Sequence, residues 1–245
     1  MTKLSLASAI LLGSVLVGTA MSTTTFAAEQ TYTSKGSITY TPSTGPVTPV
    51  DPENPDKPVI PTDPELPINP GTNGPLSIDF ASNFRFGKQE ITSVDKVYDA
   101  QAQELSDGTT RANYVQVTDN RGTLAGWTLT AKASEFTDQD MNAVAGSTGY
   151  VLEGAQITLT GGNIQTSSKA PATVVKAEET LLPGQSSSVL LGAKDGEGAG
   201  TNLLVFGDTS SAATSVKLAV PGKSTKLATN YQSTITWTLA DTPAV

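Results

Sequence analysis

Alternating apolar and polar residues run through the chain from about residue 76 to the C-terminus. The clearest run places Tyr231, Ser233, Ile235, Trp237 and Leu239 on one face and Gln or Thr residues on the other. Period-two alternation rich in β-branched residues is typical of a strand with one buried and one solvated face. Similar runs occur at residues 76–80, 115–117, 127–131, 157–159 and 216–220. The pattern predicts an all-β fold, an antiparallel β-sandwich or barrel-like domain.

Two local features refine this prediction. Asp119-Asn120-Arg121-Gly122 separates the strand at Val115 from the strand at Trp127. We expect these two strands to form a hairpin, with Gly122 or Asn120 at positive φ. Helical periodicity is weak throughout, and residues 93–105 are the one stretch where we expect a short helix.

The N-terminus predicts export. Lys3 is followed by a mostly apolar run from Leu4 to Val17 and then by small and hydroxyl residues up to Ala27. This order is typical of a secretory signal peptide, with cleavage after Ala27. The run is interrupted by Ser and Gly and is short for a transmembrane span of about 20 apolar residues. We therefore expect no membrane span in the mature chain.

Nine prolines recur at every third position from Pro46 to Pro70, with acidic residues between them. Three residues make one turn of polyproline II, so the repeat predicts an extended spacer of roughly 75 Å, at ~3.1 Å per residue. A ligand for a proline-recognition domain is the alternative interpretation. The predicted organisation is a signal peptide (1–27), a short N-terminal segment (28–44), a Pro-rich acidic spacer (45–75) and a β domain (76–245). Within the N-terminal segment, Glu29 to Tyr40 is suited to pairing as a strand.

The composition excludes several classes of function. The chain contains no Cys and no His, so it cannot by itself build a Cys–His or Ser–His nucleophile or a typical zinc site. Removing Lys3 with the signal peptide leaves 14 basic and 23 acidic residues, a net charge of −9. A nucleic-acid-binding protein is expected to carry a basic surface, so no nucleic acid partner is expected. We also expect no enzyme activity and no cofactor.

Two acidic stretches and the remaining dispersed acids are the candidates for a metal or catalytic site. Asp138-x-Asp140-x-Asn142 resembles the start of a calcium loop, but Ala143 stands where Gly is expected and Gly149 where Glu is expected, so no metal site is predicted. Asp195-Gly196-Glu197-Gly198 is interpreted as a mobile turn. The remaining acids lack any local pattern that would pair two carboxylates for glycoside hydrolysis, and we interpret them as solvated surface residues.

Two Trp-x-Leu motifs lie about 110 positions apart, Trp127-Thr128-Leu129 and Trp237-Thr238-Leu239. The first closes the stretch Val-Thr-Asp-x-Arg-Gly-x-x-x-Gly-Trp-x-Leu-x-Ala from Val117 to Ala131, and the second is followed by Asp241. Together with the segments 84–91 and 152–159, these residues make the chain from about 76 to 245 resemble the WxL-domain family. That family comprises surface proteins of low-GC Gram-positive bacteria, and the chain is most similar to its small members.

The resemblance implies a secreted protein of the cell surface that binds the cell wall non-covalently, through peptidoglycan. It also implies possible partners, namely other WxL proteins and a membrane-anchored WxL-interacting protein. A structural subunit recruited to the wall by such a partner is the alternative function. No Leu-Pro-x-Thr-Gly sorting motif occurs in the sequence, so we expect attachment through contacts of the folded domain.

The four motif residues, Trp127, Leu129, Trp237 and Leu239, are the candidate wall-binding residues. An exposed indole can stack on the apolar face of a sugar. However, each Trp shares its strand face with apolar residues while the opposite face carries Thr. The alternation therefore favours both rings in the core of the domain.

Overall fold

The computed structural model describes residues 29–140 and 150–245. The chain divides into two compact units, residues 1–39 and 40–245. In the first unit, residues 29–39 are exposed and form no strand. The predicted signal peptide lies outside the described residues.

The described residues contain strands and no helix. In chain order the strands are β1 (Val50–Asp51), β2 (Asn54–Pro58), β3 (Pro61–Thr62), β4 (Leu76–Ala81), β5 (Lys96–Asp99), β6 (Gln103–Leu105), β7 (Thr110–Arg111), β8 (Tyr114–Asp119), β9 (Trp127–Ala133), β10 (Thr137–Asp138), β11 (Gln156–Thr160), β12 (Gly162–Thr166), β13 (Val174–Val175), β14 (Glu178–Leu181), β15 (Leu191–Ala193), β16 (Gly200–Phe206), β17 (Val216–Val220), β18 (Tyr231–Gln232) and β19 (Ile235–Ala240).

Three four-stranded sheets form the body of the second unit. Their strand orders are β12-β16-β8-β4 for the first sheet, β14-β11-β17-β5 for the second and β13-β15-β9-β19 for the third. All pairs within them are antiparallel. The main core takes apolar side chains from all three sheets. The predicted all-β, antiparallel, sandwich- or barrel-like fold is confirmed, and strands occupy each of the alternating runs.

Two local predictions were wrong. β8 and β9 do not form a hairpin, because β8 belongs to the first sheet and β9 to the third. Gly122 does have positive φ, and so does Gly126, which lets the chain turn from one sheet to the other. The expected short helix at residues 93–105 is replaced by β5 and β6. β5 pairs with β17, a long-range contact that overrides a weak local preference.

β8 is buried on both faces. Val115 and Val117 point into the main core, while Tyr114 lies in a second, smaller apolar cluster on the outer face of the first sheet. The cluster also contains Phe80, whose ring centroid lies 4.8 Å from that of Tyr114. Burial raises the pKa of Tyr114.

The proline segment covers this outer face. The side-chain oxygen of Gln116 accepts a hydrogen bond from the Val50 backbone at 2.8 Å, and its nitrogen donates to the Thr48 carbonyl at 3.2 Å. Val50 and Ile68 pack against the second cluster. β1 pairs with β2, and β3 pairs with β6.

Two arginines reinforce the cover through ion pairs. Arg111 binds both carboxylate oxygens of buried Asp51 at 2.7 Å, and Arg85 lies between Asp63 and Glu104. The hydrogen bond from Arg111 lowers the pKa of Asp51. The segment therefore differs from the expected freestanding rod, since its residues between 48 and 68 are held against the first sheet.

Candidate functional site

The two Trp-x-Leu motifs lie on neighbouring strands. β9 and β19 are antiparallel, with Leu129 directly opposite Leu239 and Trp237 opposite Ala131. Trp127 is therefore offset from Trp237 by four residues along the strands, about 13 Å at ~3.3 Å per residue. The pairing brings the two predicted motifs together through their leucines, while each ring has its own surroundings.

Trp127 is fully buried and belongs to the core. Its indole Nε1 donates a hydrogen bond to the Gly198 carbonyl at 3.2 Å. A Cβ at Gly198 would lie 2.3 Å from the Ala193 Cβ and 2.5 Å from this Nε1, so only glycine fits against the ring. This burial excludes direct stacking of Trp127 on a sugar.

The turn over Trp127 is well anchored, in contrast to the expected mobile turn at residues 195–198. Gly198 N donates to the Ala170 carbonyl at 2.7 Å. The Glu197 carboxylate accepts hydrogen bonds from the Thr173 hydroxyl at 2.6 Å and the Lys194 backbone at 3.1 Å. The hydroxyl bond lowers the pKa of Glu197. These hydrogen bonds fix the turn against the indole ring.

Trp237 is half-buried, and its ring stacks on Phe206 of β16 at a centroid distance of 6.4 Å. Phe206 also meets Phe84 edge-on. The ring therefore packs the third sheet against the first. It does so from β19, which is an edge strand of the third sheet.

Arg121 connects the first motif to the chain beyond the second. Its guanidinium donates to both carboxylate oxygens of buried Asp119, at 3.0 and 2.7 Å, and to the Gly126 carbonyl at 2.8 Å. It also pairs with Asp241, just after β19. The hydrogen bond that Arg121 donates to Asp119 is the main cause of a raised pKa of Arg121. These residues lie within or next to the two family motifs in the sequence, but no role was predicted for them.

The solvent-facing side of β9 and β19 presents a row of hydroxyl groups. The row, here called the threonine face, consists of Thr128, Thr130, Lys132, Thr236 and Thr238. Thr130 lies directly opposite Thr238, and Lys132 lies opposite Thr236. In the described residues no intramolecular hydrogen bond or ion pair engages the side chains of these last four residues. The sequence indicated this face, because Thr residues alternate with the apolar residues of both strands.

A family model described as WxL domain, surface cell wall-binding, matches residues 27–243. The match covers nearly the whole chain. The chain belongs to the WxL-domain family. No protein of curated function and no solved structure matches it. The predicted resemblance is confirmed, and the WxL domain is accordingly a cell-wall-binding domain of the cell surface, in a family of binding proteins rather than of enzymes.

Two surface grooves accompany the WxL fold. One continues the threonine face and is lined by Lys132, Ser134, Glu135, Thr137, Pro183, Gly184, Thr234 and Thr236. The other lies beside the proline segment, and its lining includes the polar residues Glu53, Asn163, Gln165, Asp208 and Thr209.

The polar groups of the second groove are used internally. Asn163 Nδ2 donates to three backbone carbonyls, and Glu53 accepts from Thr209. Asp208 accepts from Ser210 and Ser211, which lowers its pKa to about 2. The threonine face and its groove therefore offer more unengaged hydrogen-bonding groups.

The calcium-like stretch of the WxL domain is only partly described, since Asn142 lies outside the described residues. Asp138 is buried, and its Oδ1 accepts hydrogen bonds from Asp140 N and the Thr229 hydroxyl. In residues 29–140 and 150–245, no group of three acidic side chains is arranged to hold a metal ion. The same residues contain no helix long and apolar enough to cross a membrane.

Proposed function

We propose that this WxL protein binds peptidoglycan directly and non-covalently, without catalysis, through the threonine face. The observation that carries the proposal is the pair of adjacent strands bearing unengaged Thr hydroxyls on a cell-wall-binding domain. A hydroxyl both donates and accepts hydrogen bonds, as the hydroxyl groups of a glycan strand do. Its neighbouring methyl group offers apolar contact to the sugar ring.

In this proposal the Trp and Leu residues of the two motifs support the strands and do not contact the glycan. Trp127 and Leu129 are fully buried, so they support the strand that presents Thr128 and Thr130. Trp237 and Leu239 are half-buried on the inner face of β19 and support Thr236 and Thr238 in the same way. Replacing Trp127 would therefore abolish wall binding through loss of the fold, because truncating a buried aromatic ring costs several kcal/mol.

The test is co-sedimentation of the chain with sacculi stripped of protein and teichoic acid. The informative variant is Thr130→Glu with Thr238→Glu, which places two carboxylates on the face, next to a polymer that itself carries carboxylates. We expect binding to weaken at least about tenfold, equivalent to about 1.4 kcal/mol.

The matched control is Thr158→Glu with Thr180→Glu. These two residues are also opposite each other, on β11 and β14 of the second sheet, and their hydroxyls lie 3.0 Å apart. The control adds the same charge to an equivalent Thr pair and should bind as the unmodified chain does. Equal loss in both variants would contradict the threonine face as the contact surface.

A folded chain that stays in the supernatant would contradict direct binding altogether. Attachment would then depend on another WxL protein or a membrane-anchored WxL-interacting protein. That result is distinguishable from failure of the threonine face alone, because in the latter case the unmodified chain still pellets.

A further inference from the structure

β19 leaves one edge of the third sheet unpaired among the described residues. It ends the strand order β13-β15-β9-β19. Ser134 N donates to the Thr234 carbonyl at 2.9 Å. In an antiparallel ladder the direction of the backbone groups alternates, so those of Ile235, Trp237 and Leu239 point to the open edge. An unpaired edge is a template for an added strand.

The side chains along this edge are incompletely covered. Tyr231, Ile235, Trp237 and Leu239 pack against the main core but remain half-buried. The β19 strand bears no charged residue that would block an approaching strand. A strand added here would extend the apolar face beyond Trp237 and cover it.

The residues from Thr31 to Tyr40 have the alternating sequence pattern of a strand but form none. They belong to none of the described strand pairs and are exposed, with Tyr32, Ile38 and Tyr40 at 95%, 75% and 84% of full exposure. In extended form these three side chains share one face, because all three positions are even. The opposite face carries Thr31, Thr33, Lys35, Ser37 and Thr39.

The segment and the edge match in length and pattern. The stretch from the start of β18 to the end of β19 comprises ten residues, 231–240, of which β19 supplies six. Residues 31–40 also comprise ten, and both stretches alternate an apolar-rich face with a hydroxyl-rich face. Charge does not oppose the contact locally. The only charged residue among residues 31–40 is Lys35, and β19 carries no charged residue.

We propose that residues 31–40 of one copy add as an antiparallel or parallel strand to the β19 edge of a second copy. The donating and accepting surfaces differ, so the contact is heterologous, and one copy can accept one neighbour while donating to another. The proposal is independent of whether the threonine face binds glycan.

The area available indicates a weak contact. Two Tyr and one Ile side chain bury roughly 500 Å², and a similar area on the accepting edge gives about 1,000 Å², the low end for specific interfaces. Association should therefore depend on concentration. It should be strengthened where many copies are held close together on one surface.

The test is sedimentation velocity of residues 28–245 from low to high micromolar concentration. We expect a concentration-dependent increase in mass. Ile38→Asp puts a charge on the apolar face of the segment and should weaken association about tenfold or more, equivalent to at least about 1.4 kcal/mol. Because Ile38 lies outside the strands and exposed, this variant should leave the thermal unfolding midpoint unchanged.

The matched control is Ser37→Asp, which adds the same charge at the adjacent residue on the opposite face and should associate normally. A synthetic peptide of residues 31–40 should dissociate the assemblies, and a scrambled peptide should not. A chain that is monomeric at all concentrations, association unaffected by Ile38→Asp, or association unaffected by the peptide would overturn the proposal.

Discussion

At the scale of single residues, Gly198 is the position where the packing of the first Trp-x-Leu motif depends most on having no side chain. Its φ of 83° lies in the region that glycine tolerates and other residues rarely adopt. Its carbonyl accepts the hydrogen bond from the Trp127 indole, and a Cβ at this position would collide with that ring. Gly196, two residues earlier, has a φ of 88° but no atom within 4 Å of where a Cβ would stand.

The pair makes a matched test of that packing. Both Gly196→Ala and Gly198→Ala incur the cost of a left-handed alanine, about 1–2 kcal/mol. Gly198→Ala adds overpacking against Trp127 and Ala193, which typically costs a further 1–3 kcal/mol or so. Denaturant unfolding can be monitored by tryptophan fluorescence. We expect the free energy of unfolding to be lower for Gly198→Ala than for Gly196→Ala. Equal free energies of unfolding for the two variants would mean that the turn can move away from the indole without loss of stability.

At the scale of elements, the proline segment behaves as part of the fold. It supplies Asp51 to Arg111, Asp63 to Arg85, and backbone partners to the fully buried Gln116. Pro lacks an N–H and suits edge strands, which is consistent with the short strands β1 to β3 at this periphery.

Truncation tests this role and the predicted domain boundary at residue 76. A chain starting at residue 76 should be less stable than one starting at residue 40 by at least about 3 kcal/mol, since it exposes the equivalent of two or more buried apolar side chains. A chain starting at residue 29 should match the one starting at 40 because residues 29–39 are exposed. Urea unfolding of the three chains measures the difference. Equal stability of the 76–245 chain would restore the interpretation as a freestanding spacer.

Two of the four strands of the third sheet could be predicted from the sequence. Period-two alternation identified β9 and β19 and the half-buried inner face that Ile235 shares with Trp237. Alternation reports which face of a strand is buried, but it does not report which strand lies next to it. The expected β8–β9 hairpin failed for that reason.

The packing of residues 48–68 on the outer face of the first sheet was harder to predict from the sequence. Leu203-Leu204-Val205-Phe206 in β16 is apolar at every position, as expected for a strand buried on both faces. That run required something on the outer face of the first sheet. The period-three proline pattern describes local chain geometry only, so it could not indicate that the same residues pack there.

For the threonine face, too, the sequence predicted the orientation of the side chains but not which strands lie side by side. Thr130 and Thr238 were identified as outward-facing by alternation, yet their cross-strand contact depends on a register between strands more than 100 residues apart. Register is set by the tertiary fold and the buried face. A row of hydroxyls therefore became recognisable as a candidate contact surface only in the folded domain.

At the scale of the whole molecule, charge opposes attachment to an anionic wall. The chain has a formal net charge of −8, and Lys132 is the only charged residue of the threonine face. Binding through hydroxyl groups and shape should thus be insensitive to screening. Between about 0.15 M and 1 M salt, where the Debye length falls from about 8 to 3 Å, we expect the affinity for stripped sacculi to stay within about twofold.

Poly-lysine, which binds anionic sacculi through charge, is the control for the salt series and should be released at high salt. Release of the WxL protein in parallel with poly-lysine would contradict recognition by hydroxyl groups. It would indicate instead that local positive charge such as that of Lys132 dominates the contact.

The pairing of β9 with β19 has a consequence for the order of folding. Leu129 meets Leu239, 110 residues later in the chain and six residues from its end. Closing so long a loop is entropically slow compared with forming local contacts. In a chain exported N-terminus first, the third sheet cannot be completed until β19 has emerged. The hydroxyl surface of β9 and β19 would then form only outside the membrane, where the wall is.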